Sequence, residues 1–174
     1  MANSFGNKLK PETLAEIEKI IPRYPQKRSA LMPVLQAIQD DQRVISNDAI
    51  EWVVEKLDLQ PINVLEVVSF FPNYRQKPIG KCWVRVCRTL SCALHGAYKV
   101  VDILEKELGC KMGTTSEDGS ITLEYAECLA ACGTGPGALI DEDLFENLKP
   151  DDLGPVIAEI KKRAAGGVPT PTKG

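Results

Sequence analysis

The sequence predicts an α+β protein in which an N-terminal helical bundle is followed by an α/β domain. Three observations lead to this prediction. Up to about residue 72, apolar residues recur at the three- and four-residue spacing of amphipathic helices. Beyond residue 80, short apolar runs typical of strands alternate with two helical stretches. Between them, residues 73–80 are polar and contain Pro78 and Gly80, so we expect the domain boundary there.

The helical domain is predicted over residues 1–75, with four short helices that end near residues 21, 42, 57 and 71. Each helix begins at a residue suited to a helix start, namely Pro11, Ser29, Ser46 or Asn47, and Pro61. Residues 1–8 show no such pattern, and we expect them to be frayed. Helices of this length are marginal alone, so they must pack on one another or on the second domain. This half is predicted to be a small bundle without chemistry of its own.

The α/β domain is predicted over residues 80–165, in the order strand, helix, strand, strand, helix. The strands are expected at residues 81–87, 121–125 and 138–141, and the helices at residues 92–108 and 150–163. Asp141-Glu-Asp143 is a turn signal, which predicts a hairpin with a short fourth strand at residues 144–145. Residues 113–119 are expected to be a turn, and residues 166–174 a flexible tail.

Two pairs of cysteines are the most informative feature of the second domain. Cys87 and Cys92 are separated by four residues. Cys128 and Cys132, which follow after a further thirty-five residues, are separated by three. Both pairs are expected in loops just after predicted strands, at one edge of the sheet. A [2Fe–2S] cluster takes four cysteine thiolates, two on each iron, and the spacing therefore predicts such a cluster with one pair on each iron.

Other uses of cysteine agree less well with these spacings. Structural zinc sites and thioredoxin-type dithiols commonly use C-x-x-C, which neither pair has. A Rieske centre needs two histidines, whereas His95 is the single histidine of the chain. Alternation along the first strand points Cys82 away from Cys87, and Cys110 has no partner at short spacing, so both are interpreted as structural. A zinc-stapled structural adaptor remains the alternative from another functional class.

A buried iron–sulfur cluster is anionic and needs hydrogen-bond donors. The backbone amides of residues 88–94 and 129–135 are the candidates, and a helix beginning near Cys92 would direct its positive end at the cluster. The glycines of residues 133–138 superficially match a dinucleotide-binding fingerprint. The match is rejected because the segment contains Pro136 and leads into a strand instead of a helix. No Walker A loop occurs either, so NADH or flavin chemistry is expected on a partner protein.

Composition argues against several other classes. The chain has 174 residues and a net charge of -3, so its charge does not favour binding to nucleic acid. It contains no run of about 18 apolar residues, and we expect no direct membrane insertion. The N-terminal residues lack the apolar segment of a secretory signal. A reducing compartment is therefore expected, where cysteines bind metals more often than they form structural disulfides.

Four stretches of the chain resemble a known family. They are Arg23-Tyr-Pro-Gln-Lys-Arg-Ser-Ala-Leu-Met-Pro-Val-Leu-Gln-Ala-Ile-Gln39, Val67-Val-Ser-Phe-Phe-Pro-Asn-Tyr74, Cys87-Arg-Thr-Leu-Ser-Cys92 and Glu127-Cys-Leu-Ala-Ala-Cys-Gly-Thr-Gly-Pro136. They are similar to the thioredoxin-like [2Fe–2S] ferredoxin family, which includes the 24-kDa (E) subunit of respiratory NADH:quinone oxidoreductase (complex I). The resemblance covers roughly residues 10–163.

This resemblance implies a helical domain followed by a thioredoxin-like domain, with a [2Fe–2S] cluster ligated by Cys87, Cys92, Cys128 and Cys132. It implies a one-electron carrier of complex I that docks on an FMN- and NADH-binding flavoprotein subunit, with a larger iron–sulfur subunit in the same complex. The location implied is cytoplasmic, peripheral to the inner membrane in the hydrophilic arm. The same module occurs in soluble NAD-linked hydrogenases and formate dehydrogenases, which is the alternative assignment. Family members often carry a bulkier residue in place of Gly137, a departure that touches no ligand.

Overall fold

Short helices form the first of the two units into which the chain divides, between Pro78 and Ile79. The computed structural model describes residues 4–166, and the division falls inside the polar segment 73–80. The α-helices of this unit are α1 (Pro11–Ile20), α2 (Leu31–Gln42), α3 (Asn47–Leu57) and α4 (Pro61–Phe70). Short 3-10 helices occupy Ser4–Lys8, Ile21–Arg23 and Lys27–Ala30. The four predicted helices of this half are confirmed.

The sequence predicted a capping side chain at the start of both α2 and α3, and the structure has one only at α3. Ser46 caps α3, because its side-chain oxygen accepts a hydrogen bond from the Ala49 amide at 3.2 Å. The prediction that Ser29 caps the second helix is wrong. Lys27–Ala30 forms a 3-10 helix that runs directly into α2, which has no side-chain cap. Because the 3-10 helix continues into α2, the first turn of α2 follows residues that are already helical, and no side chain caps it.

The N-terminal segment is ordered, in contrast to the fraying expected for residues 1–8. Ser4–Lys8 forms a 3-10 helix, and Phe5 is only 3% exposed. The Phe5 ring centroid lies 6.2 Å from that of Trp52, on α3. Burying a phenylalanine contributes about 1.5–3 kcal/mol, which favours packing of this segment against the bundle. Residues 1–3 lie outside the described range.

The helices of the first unit share one apolar core. Its largest fully buried side chains are Ile17, Val34, Leu35, Ile38, Ile45, Val53, Leu57 and Val64. Apart from Ile45, which lies between α2 and α3, they are positions at which the apolar residues of each helix recur every three or four residues. The Tyr74 hydroxyl, just after α4, donates a hydrogen bond to the Met32 carbonyl at 3.0 Å. This contact fixes the segment that leaves the bundle.

A five-stranded mixed sheet forms the centre of the second unit. Its strands are β1 (Cys82–Cys87), β2 (Thr114–Thr115), β3 (Ile121–Ala126), β4 (Ala138–Ile140) and β5 (Asp143–Phe145). They lie in the order β2-β3-β1-β4-β5. Only β1 and β3 run parallel, and the other three pairings are antiparallel. The helices are α5 (Leu90–Leu94), α6 (Ala97–Leu108) and α7 (Gly154–Gly166), with 3-10 helices at Cys132–Thr134 and Pro150–Asp152. The α+β class predicted from the sequence is confirmed.

The parallel pair of strands brings two distant parts of the chain to one edge. Cys87, the last residue of β1, lies opposite Ala126, the last residue of β3. Cys128 is two residues further along the chain. Because parallel strands end on the same side of a sheet, the segments that follow β1 and β3 meet there. This arrangement confirms the expected edge of the sheet. The expectation of loops is wrong for the first pair, because Cys87 ends β1 and Cys92 lies in α5.

Three predicted elements of the second unit are wrong in detail. The helix expected over residues 92–108 is two helices, because Gly96 has a φ of 95° and breaks the helical path. The helix expected from Pro150 begins as a 3-10 turn, and α7 starts only at Gly154. The turn expected at residues 113–119 contains β2, which is too short to show a period of two. Apart from Gly166, which ends α7, the predicted tail lies outside the described residues. Within residues 4–166, no helix is long and apolar enough to cross a membrane.

Candidate metal centre

The first cysteine pair is buried and held by regular secondary structure. Cys87 ends β1, and Cys92 lies in the middle of the short helix α5. Each is 2% exposed, and together with Ala97 they form a small buried cluster against which Leu129 packs. The placement of Cys92 corrects one expectation, since α5 begins before this cysteine and is only five residues long. Cys92 therefore does not stand at the N-terminus of a long helix, and the expected positive helix end at the site is absent at this residue.

Hydrogen-bond donors surround the sulfur of Cys87. Burial opposes ionisation of this thiol, but the Thr89 hydroxyl and the amides of Thr89 and Leu129 outweigh it, so the pKa of Cys87 is lowered. The Thr89 Oγ1 lies 3.2 Å from the Cys87 Sγ. For Cys92, burial raises the pKa and Cys87 raises it further, while the Gly137 amide acts in the opposite direction. The thiolate of this pair that the chain stabilises most is therefore that of Cys87.

The second pair is exposed and belongs to a loop. Cys128 follows β3, and Cys132 begins a 3-10 turn. Their sulfurs lie 3.8 Å apart. Two thiolates on one tetrahedral ion, at a metal–sulfur distance of about 2.3 Å, are also about 3.8 Å apart. The Ala130 amide donates to the Cys128 Sγ at 3.3 Å, and hydrogen bonding with Cys128 raises the pKa of Cys132. This pair is spaced to hold one metal ion.

Several contacts connect the two loops that carry the cysteines. The Arg88 guanidinium donates twice to the Glu127 carboxylate, at 2.7 and 3.2 Å, and lies over the ring of Tyr125. The Ser91 hydroxyl donates to the Cys132 carbonyl at 2.9 Å. In the sequence, Arg88 directly follows Cys87 and Glu127 directly precedes Cys128. The two pairs are therefore connected by side chains that are direct neighbours of the cysteines.

A side chain at Gly135 would crowd the site. A Cβ atom on Gly135 would lie 3.1 Å from the Cys92 sulfur. Its φ of -67° is ordinary, so close approach to the sulfur, and not an unusual backbone angle, explains the glycine. Gly137 is different, because a Cβ there would meet its nearest atoms, in Phe145 and Ala131, at 3.6 and 3.7 Å. A Cβ on Gly137 would therefore make only ordinary van der Waals contacts, in contrast to one on Gly135.

The remaining cysteines and the histidine lie elsewhere. Cys82 is fully buried in the sheet core, as expected from its place on β1. The Cys110 thiol is also buried and donates to the Thr114 carbonyl at 3.3 Å. His95 is exposed, and its Nδ1 contacts the Ser91 carbonyl at 2.7 Å. Thr89 is a site residue that the sequence analysis did not single out, and its position between two cysteines was the only signal.

The site agrees with the donor set of a [2Fe–2S] cluster. No group of three or more His, Cys, Asp or Glu side chains in the described part of the chain is arranged around a single metal position. Such a cluster does not need one, because each iron takes two protein thiolates and shares two sulfides with the other. The amide and hydroxyl donors at Cys87, Cys92 and Cys128 are the kind of contacts that anionic sulfurs require.

Comparisons with known proteins agree with this chemistry. The family model described as thioredoxin-like [2Fe-2S] ferredoxin matches residues 17–161. The E subunit of the NADH-quinone oxidoreductase of Rickettsia felis is 36% identical over 162 residues, which cover 91% of this chain and 96% of that protein. The corresponding protein from Mycobacterium bovis, which has the same name, is 32% identical over 155 residues, or 87% of this chain. This chain spans 62% of the length of the mycobacterial relative.

A solved structure shares the fold. The crystal structure of an NAD+-reducing [NiFe]-hydrogenase in the air-oxidized state superimposes with a TM-score of 0.66 at 16% identity. The superposition covers 76% of this chain and 23% of the hydrogenase chain. At this identity the likeness concerns the fold alone.

Proposed function

Since this chain belongs to the thioredoxin-like [2Fe-2S] ferredoxin family, we propose that it is the one-electron carrier subunit of an NADH:quinone oxidoreductase of the complex I type. The cluster is held by Cys87, Cys92, Cys128 and Cys132, one pair on each iron. The observation that carries the proposal is the contact between the segments that follow two parallel strands, where the Ser91 hydroxyl, next to Cys92, donates to the Cys132 carbonyl at 2.9 Å. The sequence identity to the E subunits of NADH-quinone oxidoreductases supports the choice of complex.

When bound, a [2Fe–2S] cluster accepts and releases single electrons. The residues of this chain supply the rest of the function. Cys87 and Cys92 lie in a buried cluster that excludes water from one side of the site. Cys128 and Cys132 are exposed and form the side that a redox partner can approach. The chain offers no Walker A loop or dinucleotide fingerprint, so FMN and NADH belong to a partner subunit in this proposal.

The partner that we propose is an FMN- and NADH-binding flavoprotein subunit, with a larger iron–sulfur subunit in the same complex. Leu90 and Leu94 support a docking surface beside the site. They lie four residues apart on α5, flank Cys92, and are 75% and 77% exposed. Large apolar side chains this exposed are typical of interfaces when they are grouped beside a functional site. We place the assembled complex on the cytoplasmic side of the inner membrane, at its periphery.

The first experiment measures iron, acid-labile sulfide and the EPR spectrum of anaerobically purified protein. About two irons and two sulfides per chain, with an S = 1/2 signal after reduction by dithionite, are expected for a [2Fe–2S] carrier. Alanine at any of the four proposed ligands should abolish or severely destabilise the cluster. Cys82→Ala and Cys110→Ala are matched controls that should retain it. Zinc without sulfide would replace the proposal by the structural-adaptor alternative, and a cluster that survives Cys128→Ala would overturn the ligand set.

The second experiment tests the docking surface. Leu94→Lys should weaken capture of this subunit by its flavoprotein partner about tenfold or more, the effect of losing about 1.4 kcal/mol at a buried anchor. Iron content should stay unchanged, because the Leu94 side chain is exposed to solvent and is not a ligand. Ile62→Lys on α4, also an exposed apolar side chain (64%), is the control. Equal weakening by both variants would remove α5 as the specific contact.

The alternative is the equivalent subunit of a soluble NAD-linked hydrogenase or formate dehydrogenase. The fold that this chain shares with an NAD+-reducing hydrogenase is the observation that supports it. The fraction in which the assembled complex is found separates the two assignments. Recovery of this chain with quinone reductase activity in washed membranes supports complex I. Recovery in a soluble complex that reduces NAD+ with hydrogen or formate supports the alternative.

A further inference from the structure

Thr89 occupies the N-cap position of α5 without capping it. Its φ of -71° and ψ of 165° are the extended angles of a helix N-cap. A threonine there ordinarily accepts a hydrogen bond from an amide in the first helical turn. Here the side chain makes no such bond. Its Oγ1 instead lies 3.2 Å from the Cys87 Sγ, and the geometry of the loop therefore favours a sulfur contact over a helix cap.

The direction of this hydrogen bond follows from chemistry. A threonine hydroxyl both donates and accepts, whereas a thiolate bound to iron only accepts. With Cys87 as a ligand, the hydroxyl must therefore donate to the sulfur. Cys87 is only 2% exposed, and in such an environment a hydrogen bond to an anion is stronger than in water. The other donors to this sulfur, from Thr89 and Leu129, are backbone amides that no side-chain substitution removes.

We propose that Thr89 is a positioning residue that raises the reduction potential of the cluster by donating a hydrogen bond to the Cys87 thiolate. One-electron reduction increases the negative charge on the ligand sulfurs. A donor at 3.2 Å stabilises this charge more in the reduced state than in the oxidised state, and hydrogen bonds to the sulfurs are among the factors that set the potential of such clusters. The inference rests on the proposed ligand set, in which Cys87 binds iron.

The test compares midpoint potentials of three variants by EPR-monitored redox titration of the whole chain with its cluster. Thr89→Val keeps the shape of the side chain but removes the donor, and its midpoint potential should be more negative than that of the wild type. At a fixed ambient potential, the ratio of reduced to oxidised protein should fall several-fold. Thr89→Ser restores a hydroxyl and should return the potential towards the wild-type value.

Thr134→Val is the matched control on the other cysteine loop. The Thr134 hydroxyl contacts the Ala131 carbonyl and the Glu146 carboxylate, and neither of these partners is a sulfur. Its removal should leave the potential unchanged. An unaltered potential in Thr89→Val, or an equal shift in Thr134→Val, would overturn the assignment of Thr89.

A second measurement covers the case in which Thr89→Val does not incorporate a cluster. Resonance Raman spectra of the wild type in H₂O and D₂O should show a shift of the iron–sulfur(Cys) stretching bands that is reduced in Thr89→Ala. Identical isotope shifts in both proteins would also contradict the proposal. Failure here remains distinct from failure of the proposed function, because a cluster of normal iron and sulfide content with an unchanged potential leaves the four ligands in place.

Discussion

The two cysteine pairs lie at the same edge of one sheet, but the chain holds them differently. Cys87 and Cys92 are each 2% exposed and sit in a strand and a helix, which together we term the buried half of the site. Cys128 and Cys132 are exposed and lie in the loop after β3, which we term the exposed half. Despite burial, hydrogen bonds from Thr89 and Leu129 lower the pKa of Cys87 in the buried half, whereas in the exposed half the Ala130 amide donates to the Cys128 sulfur at 3.3 Å.

The two halves also differ in what holds them in place. The buried half is positioned by packing and by the sheet, so we expect its two sulfurs to keep their positions in the cluster-free protein. The exposed half depends on contacts to the buried half, through Arg88 with Glu127 and through packing of Leu129 on the buried cysteines. An exposed surface pair contributes little stability by itself, so the exposed half is expected to be the first to loosen. It is also the half that a redox partner can approach.

Thiol labelling of the cluster-free protein gives the largest expected difference between the halves. Reaction with a maleimide requires an accessible thiolate. Cys128 and Cys132 should therefore react first, and Cys87 and Cys92 at least about tenfold more slowly, because their labelling requires local opening worth about 1.4 kcal/mol or more. Labelling at Cys132 should accelerate as the pH rises above the ordinary thiol range, since Cys128 raises the pKa of Cys132. Mass spectrometry of the labelled peptides measures each rate.

The labelling experiment contains its own controls. Cys82 and Cys110 are buried in the core of the second unit and should be the slowest, with rates that follow global unfolding. Equal rates for all six thiols would show that the second unit does not keep its structure without the cluster. Equal rates for Cys87, Cys92, Cys128 and Cys132, with the core thiols still protected, would remove the distinction between the two halves.

Sequence reasoning predicted the parts of the site that depend on strand periodicity. A period of two along β1 correctly separated Cys82 from Cys87, and parallel strands brought the segments after β1 and β3 together. It failed where a single backbone angle decides the path. Apolar residues keep helical spacing across Gly96, so the pattern alone predicts one helix where the structure has two.

The role of Thr89 was not predictable from the pattern for a different reason. A threonine before a helix is normally interpreted as a cap, and only the three-dimensional path of the loop places its hydroxyl at a sulfur. The ordered conformation of residues 4–8 likewise depends on a tertiary contact, that of Phe5 with Trp52. Such contacts join residues far apart in the sequence or depend on one rotamer, and neither leaves a local signal.

A methyl group at Gly135 tests how tightly the two halves fit together, with a smaller expected effect. The Cβ of Gly135→Ala would lie 3.1 Å from the Cys92 sulfur, so the loop of the exposed half must move away by a few tenths of an ångström. Overpacking of this kind costs about 1–3 kcal/mol. We expect a lower unfolding temperature of the cluster-bearing protein and faster loss of iron to a chelator. Gly133→Ala is the matched control, because a Cβ there meets nothing within 4 Å. If Gly135→Ala and Gly133→Ala lose iron at the same rate, the exposed half adjusts without disturbing Cys92. The rate of iron loss is then determined by the buried half alone.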